Sequence, residues 1–284
     1  MVVRALSWNL FHGRDHPPEP ELLTWRSRLL GRTERGASHA QVNTDLAAQF
    51  EAVLADAEWD VALLQECPPR WAERLAVSCR AAPHLALTSR NIFGAARAQA
   101  ALADRNPDLI ASWEGGSNLT LVRLAGPIAE RRHLRLATRP ERRVMAFSRL
   151  PSGICVANLH ASAERERAER ELIAAARVAS EWAGPTPLLL GGDFNLRPAL
   201  SGHVFERLES EFGLRAPTGE RVIDHLLVAG LEIAEPARQW PPEQREVPDP
   251  TAAPDGGPAL PVRLSDHAPV AARFATPAVQ SAAQ

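Results

Sequence analysis

The stretch PLLLGGDFNLRP, residues 187–198, decides how the rest of the chain is read. Leu188, Leu189 and Leu190 form an apolar run that belongs in a core. Gly191 and Gly192 follow, then Asp193 and Asn195, two positions apart. Residues i and i+2 of an extended chain point the same way, so Asp193 and Asn195 are expected to face one side. The paired glycines predict close approach of neighbouring backbone. Alone, the step could be a turn, because Gly-Asp and Phe-Asn are good turn formers.

The pattern recurs, which argues against a simple turn. Apolar runs end in polar residues of catalytic type at Asn9, at Glu66 (VALLQE) and at His160 (ICVANLH). Asp224 stands near the start of RVIDHLLV, and Asp266 and His267 stand just before the last apolar run, in LSDHAPV. A buried carboxylate or imidazole costs several kcal/mol unless paired or metal-bound. Six such ends in one chain suggest that they meet at one rim of the sheets.

The residue types narrow the chemistry. Glu66, Asp193, Asp266, Asn9 and Asn195 are oxygen donors with no accompanying thiolates, so Mg²⁺ or Mn²⁺ suits them better than zinc. His267 and His160 supply a proton acceptor and a donor near neutral pH. Asp224 could accept a hydrogen bond from one ring nitrogen of His267 and fix its tautomer. The sequence has no G-x-S-x-G elbow, no phosphate-binding G-x-x-x-x-G-K-[ST] loop, no G-x-G-x-x-G and no H-E-x-x-H. What remains is metal-assisted attack of water on a phosphate ester.

The setting fits. The 284 residues, 45% hydrophobic, suffice for one large core. Strand candidates fall at 2–8, 60–65, 117–124, 128–137, 143–149, 153–160, 187–191, 222–229 and 269–274, with a further strand after the Gly230 turn. Helices are expected at 43–57, capped by Asn43, and at 162–183, opened by Ser162, with shorter ones near 69–79, 93–104 and 201–211. Interleaved strands and helices indicate an α/β protein. Segments 13–21, 31–42 and 241–261 read as loops, and residues 277–284 as a flexible tail after a single domain over 1–276.

No apolar run is long enough to span a membrane, and no signal segment is evident, so a cytoplasmic monomer is expected. Cys67, Cys79 and Cys155 have no C-x-x-C pairing and read as small buried hydrophobes. A net charge of −2 does not suggest a protein that grips long nucleic acid by its backbone alone. All 32 basic residues are Arg, a bias that weakens any argument from one Arg; Arg142 and Arg143 nonetheless could reach a phosphate. The loop FHGRDH (11–16) follows Asn9 and should line the site, although His12, Asp15 and His16 follow no known ligand spacing.

In this order, LSWNL, LLQE, GSNLTLVR, VANLHAS, LLLGGDFNLRP, VIDHLLV and LSDHAPV resemble the endonuclease/exonuclease/phosphatase superfamily, over residues 5–271. The resemblance implies a four-layer α/β/β/α sandwich of two mixed sheets, DNase I-like, with the site at one edge. It also implies an Mg²⁺-dependent phosphoesterase. The leading expectation is a nuclease-like phosphodiesterase, with nucleic acid among the candidate substrates. The alternatives are a phosphomonoesterase on a small or lipid-linked phosphate and, third, a binding module without catalysis.

By resemblance, Glu66 holds the metal beside Asn9, with Asp266 in the metal shell. Asp193 orients water or assists the leaving oxygen. His267, held by Asp224, acts as base or as imidazolium. Asn195, His160 and Asn118 contact the phosphate. The absence of Tyr departs from the AP-endonuclease branch, which places a Tyr near the position of His160.

Overall fold

The computed structural model describes residues 1–88, 96–139, 141–252 and 259–277. Among these residues, eleven strands build two main sheets. They are β1 (Val2–Asn9), β2 (Val61–Cys67), β3 (Ala82–Leu87), β4 (Ser117–Val122), β5 (Glu130–Ala137), β6 (Arg143–Arg149), β7 (Cys155–His160), β8 (Leu188–Asp193), β9 (Asp224–Ala229), β10 (Glu232–Gln239) and β11 (Val270–Ala275). The first sheet runs β10-β11-β1-β2-β4-β3 and the second β9-β8-β7-β6-β5. Both are mixed: β1 pairs parallel with β2, and β7 with β8, while the other pairs are antiparallel.

Three apolar layers follow from side-chain alternation along the strands. On β1, Val3 and Ala5 face inward and pack with Leu63, Val156, Leu189 and Leu226 between the sheets. Leu6 and Trp8 face outward onto helices α2 (Ala47–Asp56) and α3 (Ala72–Ser78), where Trp8 and Phe50 rings lie 5.0 Å apart. The outer face of the second sheet is covered by α6 (Arg165–Ala183) and α7 (Pro198–Phe212), through Leu172, Ala176 and Leu208. This is the four-layer sandwich expected.

Toward the site the inter-sheet layer turns polar. Gln65 of β2 donates to Asn158 of β7 at 2.8 Å, and Asn158 donates to the Leu119 carbonyl of β4 at 3.2 Å. All of these groups are buried, so they need such partners. The layer bolts the two sheets together next to the rim where the polar strand ends lie.

Several local readings are corrected. Asn43 does not cap α2, which starts at Ala47; its side chain donates to the Ser27 carbonyl and to Asn106 Oδ1 and accepts from Asp108 N–H. Ser162 does not cap α6. Glu164 does, accepting from the N–H groups of Glu166 and Arg167, while buried Glu171 takes up Ser162. The loops at 13–42 and 241–261 hold α1 (Trp25–Leu30) and two ribbons, 34–35 with 40–41 and 246–248 with 261–263. Strand β3 and helix α5 (Pro107–Glu114) were not anticipated. The helix near 93–104 is present as α4 (Ala96–Arg105), its first expected residues lying outside those described, as do residues 278–284 of the tail. The three cysteines are free and buried. No helix among the described residues is long and apolar enough to cross a membrane.

Candidate active site

The strand ends converge at one rim. Asp193, the last residue of β8, pairs in register with His160 of β7 on one side and Asp224 of β9 on the other. Gly192 makes this possible. It has φ +135°, and a Cβ there would sit 1.8 Å from the Leu159 carbonyl oxygen. Gly191 does the same for the other sheet, since a Cβ would meet Leu63 at 2.7 Å. Across the gap, Asn9 of β1 donates to Asp193 Oδ2 at 3.0 Å.

The backbone around the rim is held in unusual conformations. Of seven non-glycine residues with positive φ among those described, five lie here: Phe11, His12, Glu66, Asn195 and Ser265. Each such residue costs about 1–3 kcal/mol and persists only where its surroundings fix it. Ser265 shows how. Its N–H donates to the Arg14 carbonyl, its hydroxyl donates to the Asn9 carbonyl at 2.7 Å, and it accepts the His267 N–H at 3.0 Å. Trp8 Nε1 donates to the His267 carbonyl at 3.0 Å. The turn carrying Asp266 and His267 is thus tied to β1.

His267 Nδ1 donates to Asp224 Oδ2 at 2.8 Å, which turns Nε2 toward Asp193 Oδ2 (3.8 Å) and Asp266 Oδ1 (3.9 Å). Burial alone would lower its pKa, but the Asp224 hydrogen bond and the charges of Asp224, Asp193 and Asp266 outweigh burial and raise it to about 10. His267 is therefore an imidazolium at neutral pH. His160 is its opposite. Arg143 Nη1 donates to His160 Nδ1 at 3.1 Å, so the ring proton sits on Nε2, facing Asp193 (3.5 Å) and Glu66 (3.8 Å). Burial first, then Arg143 and His267, hold its pKa far below the usual range, and the ring is a neutral donor.

The carboxylates are crowded. Burial and then Asp224 push Asp193 up to about 7, and burial and then Asp266 raise Glu66. Asp224 keeps a buried Oδ1 with no partner. This set fits a divalent cation, because Glu66, Asn9 and Asp266 offer hard oxygen donors whose mutual repulsion a cation would relieve. Asp193, Asp224 and His267 also bring ligand atoms within 4.8 Å of one another. There, however, the Nδ1–carboxylate bond already joins two of the three, and a carboxylate–imidazolium pair facing Asp193 describes them better than a metal cage.

The other expected site residues fall as follows. Asn195 caps the turn after β8: its N–H donates to Asp193 Oδ1 (2.9 Å) and its amide to the Ala161 carbonyl (3.1 Å). Asn118 is fully buried in β4 and donates to the Val144 carbonyl at 2.8 Å, across to the other sheet. Arg143 serves His160 and Glu141, and Arg142 donates to the Thr88 carbonyl. His12 meets Glu66 at 3.3 Å. Asp15 lies buried, accepting the Val42 N–H at 3.0 Å, and His16 packs edge-on to Phe11.

Sequence reasoning passed over His225, next to Asp224. Its Nε2 donates to the Leu196 carbonyl at 3.0 Å and its Nδ1 accepts the Thr218 N–H, so it anchors the loop behind Asn195. The Asp-His pair was itself visible. Only the fold shows that the two side chains serve different faces.

The Endonuclease/Exonuclease/phosphatase family model matches residues 6–267. No curated protein matches the chain in sequence. Among solved structures, an endonuclease/exonuclease/phosphatase family protein from Bacteroides thetaiotaomicron is similar at 13% identity and a TM-score of 0.62, covering 98% of this chain and 99% of that one. A mannosyl-6-phosphatase from the same species is similar at 12% identity and 0.60, covering 96% and 99%. Truncated Caenorhabditis elegans TDP2 is similar at 13% and 0.55, covering 97% and 98%. At such identities the likeness speaks for the fold, and the family model speaks for the sequence: the chain belongs to the Endonuclease/Exonuclease/phosphatase family.

Proposed function

We propose that the protein is a divalent-metal-dependent phosphoesterase in which water attacks phosphorus. The observation that carries this is the convergence of two histidines on Asp193 Oδ2: His160 Nε2 at 3.5 Å with Arg143 on its Nδ1, and His267 Nε2 at 3.8 Å with Asp224 on its Nδ1. When bound, Mg²⁺ or Mn²⁺ held by Glu66 with Asn9 and Asp266 neutralises charge on the phosphate. The chain's own residues supply the rest. Asp193, raised toward neutrality and gripped by Asn9 and the Asn195 N–H, orients the attacking water and takes its proton. His267, kept cationic by Asp224, stabilises the negative charge that grows on the phosphoryl oxygens. His160 donates its Nε2 proton in a hydrogen bond without adding charge.

This ordering departs from His267 as a general base, the other role open to it, because a group already protonated cannot accept. A phosphodiester is the leading substrate, and a phosphomonoester on a small or lipid-linked group is the second reading, favoured by the near-neutral chain. A screen in MgCl₂ and MnCl₂ over bis-p-nitrophenyl phosphate, p-nitrophenyl phosphate, supercoiled DNA, RNA and inositol phosphates tests both. Turnover of at least one ester, abolished in His267→Ala, is expected. Turnover that survives in His267→Ala overturns the site assignment.

A further inference from the structure

Helix α1 is built inside out. Its inner face is polar: Ser27, 1% exposed and the one buried residue of the helix, donates to Asp108 Oδ2 at 2.7 Å. Asn43 and Asn106 donate to the Ser27 and Arg28 carbonyls, and Thr24 caps the first turn by accepting the Ser27 N–H. The outer face is apolar. Trp25 is 63% exposed, Leu29 60% and Leu30 54%, and Leu23, just before the cap, is 51% exposed. Of eleven exposed large apolar side chains among the described residues, these four fall within eight positions. A surface helix in water ordinarily turns its apolar stripe to the core. Here polar bonds to the fold hold that stripe outward, and a clustered patch of this kind marks a binding surface.

The charge of the segment is one-sided. Arg26, Arg28 and Arg32 are exposed, and no acidic residue occurs from Leu22 to Thr33. None of the three makes an ion pair among the described residues. A second copy of the chain docked here about a two-fold axis would set these cations against themselves. A neutral apolar partner would leave them unused. An anionic lipid surface answers both features. Trp and Leu side chains enter the boundary between headgroups and acyl chains, where Trp is favoured, while the guanidinium groups lie level with the lipid phosphates.

We infer that Leu23, Trp25, Leu29 and Leu30, with Arg26, Arg28 and Arg32, form a docking surface for an anionic membrane leaflet. Nothing in this depends on the phosphoesterase reading, because docking is measured as binding, without turnover.

Co-sedimentation of the full chain with vesicles of phosphatidylcholine and phosphatidylglycerol at about 2:1, and with vesicles of phosphatidylcholine alone, tests it. The wild type is expected to bind the mixed vesicles about tenfold or more tightly than the neutral ones. Trp25→Ser combined with Leu29→Ser should weaken binding to the mixed vesicles about tenfold or more. Arg26→Gln, Arg28→Gln and Arg32→Gln together should bring it to the neutral-vesicle level, with circular dichroism unchanged in both variants. Leu200→Ser removes an equally exposed leucine, 61% on α7, and should leave binding as it is. Brominated phosphatidylcholine in the mixed vesicles should quench the fluorescence of the wild type, and most of that quenching should vanish in Trp25→Phe, although six of the seven Trp remain. A wild type that does not bind the mixed vesicles, equal binding to both compositions, or quenching intact in Trp25→Phe overturns the inference. So does a loss in Leu200→Ser as large as in the patch variants. A dimer seen by light scattering that Trp25→Ser dissolves would also overturn it, by assigning the patch to a second copy.

Discussion

Asp224 has no route to a substrate except through His267, and that makes it the sharpest single-residue probe. Asp224→Asn keeps the shape but removes the charge that holds the imidazolium. Its turnover is expected to fall by roughly 10²–10⁴. The wild-type rate should also decline as pH rises through about 10, where His267 loses its proton, and in Asp224→Asn this decline should move to lower pH. A steady-state pH profile with an unmoved alkaline limb would count against His267 as the cation.

Asp15 tests the same physics through stability. Burial and then Asp108 raise its pKa to about 8, against the opposing Val42 and Gln41 hydrogen bonds. A carboxyl raised on folding holds a proton the unfolded chain has released. Its contribution is therefore full below the unfolded value near 3.8 and lost as pH rises through about 8. Urea unfolding of the metal-free protein should show less stability at pH 8.5 than at pH 5.0, and Asp15→Asn should shrink that difference. An identical pH dependence in the variant would refute the assignment.

Elements are where the sequence was both most and least readable. The strands of the two sheets were legible because apolar runs with polar ends leave few other readings. Strand β3 was not, because Pro83 and His84 interrupt its pattern; it survives as an edge strand paired to β4 alone. Helix α2 was placed too early because Asn43 looks like a cap, whereas its amide ties together Ser27, Asn106 and Asp108. Such a role depends on residues 16 to 65 positions away and leaves no local signal. The β7–β8 junction yields the prediction at this scale. Gly192→Ala sets a methyl against backbone at a positive φ, and should cost more than about 2 kcal/mol in urea unfolding, well above Gly202→Ala, where nothing lies within 4 Å. Equal stabilities of the two variants would contradict the close approach.

For the whole molecule, the site exists only because two sheets meet. Asn9 and Glu66 come from one sheet, His160, Asp193 and Asp224 from the other, and His267 from the turn before β11. The residue types were readable, and so was their meeting at one rim, because carboxylates and imidazoles at strand ends need a reason to be there. The Asp224–His267 pair was readable, but others were not: Arg143 on His160 and His12 on Glu66 arise from tertiary contact and from backbone held at positive φ.

The central claim is that these distant residues form one metal-dependent hydrolytic site. Its most direct test is a MgCl₂ titration of bis-p-nitrophenyl phosphate hydrolysis by the wild type, Glu66→Gln and His267→Ala, each verified as folded. The account predicts no turnover in EDTA, a half-saturating Mg²⁺ concentration raised about tenfold or more in Glu66→Gln, and a maximal rate reduced by roughly 10²–10⁴ in His267→Ala with its Mg²⁺ dependence little changed. A wild-type rate indifferent to EDTA, or a Glu66→Gln titration that overlays the wild type, would contradict it.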